Sequence, residues 1–171
     1  MPPLHVRSVD LRSPEASSQF VKSLQQTGFA VLHHHPIDMN LITEVYSLWD
    51  IYFNSEGKHN DLFHPVKQDG YFPFKSENAK GSDEKDLKEF FHIYPWGRCP
   101  ELLESKTRQL YGQLVELACH LLKWIEKEVP TEISSNFSMP LEKMIEKSPQ
   151  NLLRIINYPA LSGDEKPSSV R

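Results

Sequence analysis

Asn151-Leu152-Leu153-Arg154-Ile155-Ile156-Asn157-Tyr158-Pro159 is the stretch on which the fold of this chain turns. In extended backbone successive side chains point to opposite faces, so Leu152, Arg154, Ile156 and Tyr158 share one face and Leu153, Ile155 and Asn157 the other. Such a pattern fits a strand inside a folded body, and Pro159, which has no amide proton to give a ladder, stops it. Arg154 and Tyr158 project from the same side, about 13 Å apart along the strand at ~3.3 Å per residue. A guanidinium and a phenol on one strand face suit a cavity wall. A core strand whose Arg154 reaches out to water and whose Tyr158 packs remains open as the alternative.

Working outward, Leu161 to Arg171 has a loop composition of Ser, Gly, Asp, Glu, Lys and Pro, and the chain ends inside it. On the other side, Ser138, Pro140, Leu141, Met144 and Ile145 predict a short helix that leads through Ser148-Pro149 into the strand. Pro100 and Glu101 open the longest predicted helix, with Leu103, Leu110, Leu114, Leu117, Leu121 and Ile125 along it and Pro130 at its end. It would span on the order of 40 Å at 1.5 Å per residue. Before it, Asp86 to Ile93 reads as extended structure, and Gly70-Tyr71-Phe72-Pro73-Phe74 concentrates aromatics that would form a sticky patch if exposed.

Asn54 to Asp69 is polar and predicts an irregular surface connection. Leu41, Val45, Leu48, Trp49 and Tyr52 follow helical spacing, and Ile42, Tyr46 and Phe53 widen that stripe enough to imply burial from two sides. Asp38 is placed to cap this helix. Phe29 to His35 predicts a strand running from apolar residues to histidine before Pro36. Ser13-Pro14-Glu15 announces an earlier helix with Ser13 as its cap, Phe20, Val21 and Leu24 as its buried stripe and Gly28 as its left-handed stop. His5 to Leu11 reads as a short first strand.

Bulk composition sets the class. The chain has 171 residues, 39% hydrophobic and 25% charged, which accommodates one soluble domain with a core. Nineteen Lys and Arg against 23 Asp and Glu give a net charge of -4, which argues against nucleic acid or an anionic membrane as the main partner. No apolar run approaches the roughly 20 residues of a membrane helix, and the amino terminus lacks a signal-peptide core, so a cytoplasmic protein is expected. Cys99 and Cys119 have no paired spacing and read as reduced structural thiols.

Several stretches, in order, resemble the amino-terminal region of the isopenicillin N synthase-like iron(II)- and 2-oxoglutarate-dependent dioxygenases. They are Val9-Asp10-Leu11, Gly28-Phe29-Ala30-Val31 running into His35, Tyr52-Phe53 with Lys58, Gly70-Tyr71, Asp86-Leu87-Lys88-Glu89-Phe90, and Leu153-Arg154 with Tyr158-Pro159. The resemblance implies an α+β fold. An amino-terminal α/β region with a long helix would cover residues 1–150, and residues 151–171 would begin a double-stranded β-helix, or jelly roll, that is otherwise missing. It implies Tyr158 and Arg154 as cofactor-binding residues on the wall of the iron pocket, Tyr71 as a substrate-binding residue near the entrance, and a structural role for Lys88 and Glu89. Their simplest reading is a strand-edge ion pair.

The family's iron ligands, His-x-Asp and a later His, and its Arg-x-Ser cosubstrate grip have no counterpart here. The histidines are His5, His33, His34, His35, His59, His64, His92 and His120, and none begins a His-x-Asp. Such a facial triad is what oxygen chemistry at ferrous iron requires. The expectation is therefore a family segment that ends before its active site, with no catalytic or metal-binding residue. Fe(II), 2-oxoglutarate and a small-molecule substrate would belong to the full-length form and would not bind this chain alone. A second reading is a non-catalytic interaction module that self-associates through the unpaired edge of the 151–156 strand. A third would use His33 and His35, which share a strand face, as metal ligands with His59 or His64.

Overall fold

Val9, alternating with polar neighbours, seeds the first strand. The structure, a computed structural model, describes residues 5–78, 83–161 and 163. Its chain divides into two units, Met1–Met39 with Gln109–Ser148, and Asn40–Arg108 with Pro149–Arg171.

In the first unit, β1 (Ser8–Asp10) and β2 (Val31–His33) pair in parallel, joined by α1 (Ala16–Thr27). Both strands are shorter than the predicted His5–Leu11 and Phe29–His35. Ser13 shapes the entry to α1 as a turn: its Oγ accepts the Glu15 amide at 3.2 Å and its carbonyl the Ala16 amide at 3.1 Å. Pro14 thus precedes the helix instead of occupying its first turn. Gly28 ends α1 at φ 77, its amide donating to the Leu24 carbonyl at 2.9 Å. Only a residue without Cβ adopts that conformation freely. Val9, Ala16, Phe20 and Val21 form the core, with Leu24, Leu32, Leu121, Trp124 and Ile125 packed around them.

In the second unit, β3 (Gly70–Phe72), β4 (Glu89–Ile93) and β5 (Leu153–Asn157) make an antiparallel sheet in that order. The predicted 151–159 strand is therefore an edge strand, paired with β4 across Phe90↔Ile156 and His92↔Arg154. One face of the sheet carries Tyr71 and Phe91 and packs on α2 (Met39–Phe53), with Trp49 5.2 Å and Tyr52 5.8 Å from Phe91, ring centroid to ring centroid. Burying an indole costs free energy unless its N–H is satisfied; Trp49 Nε1 donates to the buried Thr107 hydroxyl at 2.9 Å. Thr107 lies on α3 (Glu101–Glu128), the long helix, which runs its predicted course to just before Pro130.

Three predictions need correction. Tyr46 is 75% exposed, so α2 buries only Leu41, Val45, Trp49, Tyr52 and Phe53 and is not covered on two sides in this chain. The polar 54–69 segment contains a 3-10 helix, Glu56–Asp61, where an irregular loop was expected. The predicted helix after Pro140 is a single 3-10 turn, Leu141–Met144, following a further short helix, α4 (Thr131–Ser134). The predicted terminal loop, Leu161 to Arg171, lies outside the described residues except at Leu161 and Gly163. No helix among the described residues is long and apolar enough to cross a membrane.

Candidate functional site

Strand alternation sorts the side chains of the second unit onto two faces, and with them the three residues that the family resemblance singles out. Tyr71 is on the α2 side, 1% exposed, with its hydroxyl donated to Glu89. Burial first, and then the Glu89 carboxylate, push its phenol pKa well above the usual range. Arg154 lies on the opposite face of the sheet, where the exposure pattern of β5 continues to Tyr158, 48% exposed. Arg154 and Tyr158 are both exposed, whereas Tyr71 is buried on the other face of the sheet from Arg154.

Glu89 is the hub of the closed side. It is 3% exposed, and its Oε2 accepts from Lys58 Nζ at 2.9 Å and from Tyr71, while Oε1 accepts from Asn157 Nδ2 at 2.8 Å. Lys58 also donates to the Phe53 carbonyl at 2.6 Å. A buried carboxylate is tolerated when its lone pairs are met in this way. The network ties the 3-10 helix, β3, β4 and the end of β5 together. Lys88, one position earlier, points the other way and pairs with Asp86 at 2.6 Å. Lys88 and Glu89 are thus not partners in a strand-edge ion pair, because neighbouring strand positions face opposite sides.

On the Arg154 side of the sheet, Phe63, Phe72 and Phe90 stack in sequence, with centroids 4.2 and 4.5 Å apart. The Arg154 guanidinium lies 4.6 Å from the Phe90 centroid, within cation–π range. Arg154 Nε donates to His92 Nε2 at 2.7 Å, and His92 Nδ1 is 3.0 Å from the Gln68 carbonyl. Since a guanidinium N–H can only donate, His92 Nε2 must accept and Nδ1 must carry the proton. Burial, and then the nearby Arg154 charge, lower the His92 pKa, which favours this neutral form.

Sequence reasoning passed over His92 and Asn157. The available signal was the period of two: His92 falls in register with Phe90 on one face, and Asn157 with Glu89 across the ladder.

Three further histidines have local partners, whereas His35 Nδ1 is buried without a hydrogen-bond partner. His34 sits between Asp10 Oδ1 and Arg12 Nη2, each at 3.0 Å, and the Arg12 hydrogen bond holds the Asp10 carboxyl well below its usual range. His64 Nδ1 accepts the Val66 and Lys67 amides, both at 3.1 Å, and His59 lies against the Tyr71 ring. Among the described residues no three His, Cys, Asp or Glu side chains are grouped to hold a metal ion. The donor set here does not fit iron, and no chemical step through it follows from these residues. Burial pushes the Cys99 thiol up to about 11, which disfavours the reactive thiolate.

The sheet is packed on one face by the α2 aromatics and carries the held Arg154 on the other. The family model described as the non-haem dioxygenase in morphine synthesis N-terminal matches residues 3–113. A protein of Shewanella oneidensis assigned as an oxygenase is 42% identical, with a TM-score of 0.84; the match covers 94% of this chain and 57% of that one. A full-length Neurospora crassa protein in complex with alpha-KG is 18% identical over 90% of this chain and 54% of its own, TM-score 0.66. A 2OG-Fe(II) oxygenase family protein of Caulobacter crescentus is 23% identical over 71% of this chain and 48% of its own, TM-score 0.59. The last two show the fold alone. No curated protein matches the chain. The chain belongs to the non-haem dioxygenase family, of which it carries the amino-terminal region. It spans between about half and three fifths of the length of the solved relatives named above.

Proposed function

We propose that the chain is the amino-terminal part of an iron(II)- and 2-oxoglutarate-dependent oxidoreductase acting on a small organic molecule, and that it is inactive by itself. The observation that carries this reading is the division of the sheet: Glu89 and the aromatics of α2 fix one face, and Arg154 and Tyr158 stand on the other. In the complete enzyme that open face is one wall of the pocket, and β5 is the first strand of a jelly roll. Ferrous iron with 2-oxoglutarate would supply oxygen activation there, held by residues other than those described here. Arg154 contributes a cation and Tyr158 a hydroxyl toward cosubstrate or substrate. Tyr71, whose hydroxyl is engaged by Glu89, holds the wall from behind and takes part in the site only through that support.

The test is 2-oxoglutarate decarboxylation with ferrous iron. The 171-residue chain should show none, and a form extended through a His-x-Asp motif should turn over. Turnover by the short chain would overturn this placement of the iron site.

A second reading, an interaction module that self-associates, is favoured by one observation: β5 is the last strand in the sheet order, with Ile156 exposed on it and Leu152 and Tyr158 exposed at its two ends. Sedimentation of the 171-residue chain decides it, a monomer unchanged by dilution counting against self-association.

A further inference from the structure

We infer that His92 is a positioning residue for Arg154, fixing the direction of its guanidinium from behind. Three constraints converge on this side chain. The β4–β5 register sets His92 directly opposite Arg154, the Nε–Nε2 hydrogen bond is 2.7 Å, and the guanidinium rests 4.6 Å from the centre of the Phe90 ring. A long flexible side chain loses its rotamer freedom here before any ligand arrives, which is the condition for strong recognition by an arginine.

His92 is held in its turn. It is 5% exposed, and rotating its ring would break the Nδ1 hydrogen bond to the Gln68 carbonyl. That carbonyl is placed by a tight turn. Gln68 lies at φ 62 and donates its amide to the His64 carbonyl at 2.8 Å, while the His64 amide donates to the Asp69 carbonyl at 2.9 Å. The polar connection before β3 is therefore the base of a relay, from the His64 turn through Gln68 and His92 to Arg154. With Nε engaged, the two terminal nitrogens remain as the forked edge that takes a carboxylate or another planar pair of oxygens.

What the held arginine is for rests on the function proposed above; the holding does not, and it is measured without iron or 2-oxoglutarate. In nitrogen-15 NMR of the 171-residue chain, His92 should show a protonated Nδ1 and a bare Nε2. The Arg154 Nε–H should exchange with water roughly tenfold more slowly than in His92→Leu, the effect of losing one ordinary hydrogen bond. His92→Gln, whose side-chain oxygen can take the place of Nε2, should restore the slow exchange. A protonated Nε2 in the unaltered chain overturns the proposal, as does Arg154 Nε–H exchange that is equally fast with and without His92. If His92→Leu does not fold, the tautomer in the unaltered chain decides. Absent turnover by a form extended through a His-x-Asp motif, with an intact His92–Arg154 bond, would count against the oxygenase reading alone.

Discussion

At the residue scale, two groups share the sheet and answer to opposite physics. Glu89 is a buried anion whose worth depends on its partners. Replacing it by Leu strands Lys58, whose side chain is 17% exposed, and removes acceptors from Tyr71 and Asn157. Breaking a buried pair from one side costs about 3–5 kcal/mol, whereas replacing both partners by apolar residues is often near neutral. Glu89→Leu should lower the urea-unfolding free energy by that amount, and Lys58→Met with Glu89→Leu should recover much of it. Equal loss in the single and double variants would show that the ion pair is not what Glu89 contributes. His92 works through its neutral form. Arg154 on β5, Glu77 after β3 and the Tyr94 ring edge face it, and its net pKa is lowered below 6.5. The unfolded state then binds more protons than the folded one below that value. This part of the stability is complete above pH 6.5 and is lost as pH falls through the folded pKa. Urea titrations from pH 7.5 down to pH 5 should show a fall in stability that His92→Gln removes.

At the scale of elements, two of the positive-φ glycines, Gly28 and Gly70, separate backbone strain from crowding. Gly28 has open space around a would-be Cβ, so Gly28→Ala should cost only the conformational penalty, on the order of 1 kcal/mol. At Gly70, φ 107, an added Cβ would come 2.5 Å from Arg98 Nη2 and 2.7 Å from the Asp61 carbonyl oxygen. Arg98 cannot easily withdraw: it binds the Asp69 carboxylate through its amide and Nε at 3.0 and 3.1 Å, and the Leu62 and Asp69 carbonyls through Nη2. Gly70→Ala should therefore destabilise the protein several-fold more than Gly28→Ala in the same thermal unfolding experiment. The contrast also marks what the sequence could reveal. Period and punctuation announced α1, α2, α3 and β5, because apolar spacing and the stops at Gly28, Pro130 and Pro159 are local signals. The depth of burial was not local. Tyr46 fits the stripe of α2 yet faces water, and Lys58, in a segment that reads as surface, reaches a carboxylate 31 positions away. Nothing within a window around either residue carries that information. The exposed side of β5, with Arg154 on it, was legible from alternation within one strand, whereas His92 required knowing which strand pairs with β5 and in what register.

At the scale of the whole molecule, each unit has its own hydrophobic centre, and the sheet of the second unit leaves apolar surface uncovered on β5. Ile156 is 42% exposed and stands opposite the fully buried Phe90, which places a solvent-facing aliphatic directly beside the aromatic stack. An edge strand bearing such residues tends to acquire a neighbour. The match to the Shewanella oneidensis protein takes in nearly all of this chain and 57% of its counterpart. On the oxygenase reading, the cover for β5 comes from the same polypeptide. Protein captured from cells with an antibody against residues 1–171 should then have an intact mass well above 19.8 kDa. The residues beyond Arg171 should contain a His-x-Asp. A captured mass of 19.8 kDa would leave β5 to find its cover in another chain, and self-association would then displace catalysis as the reading of the open face.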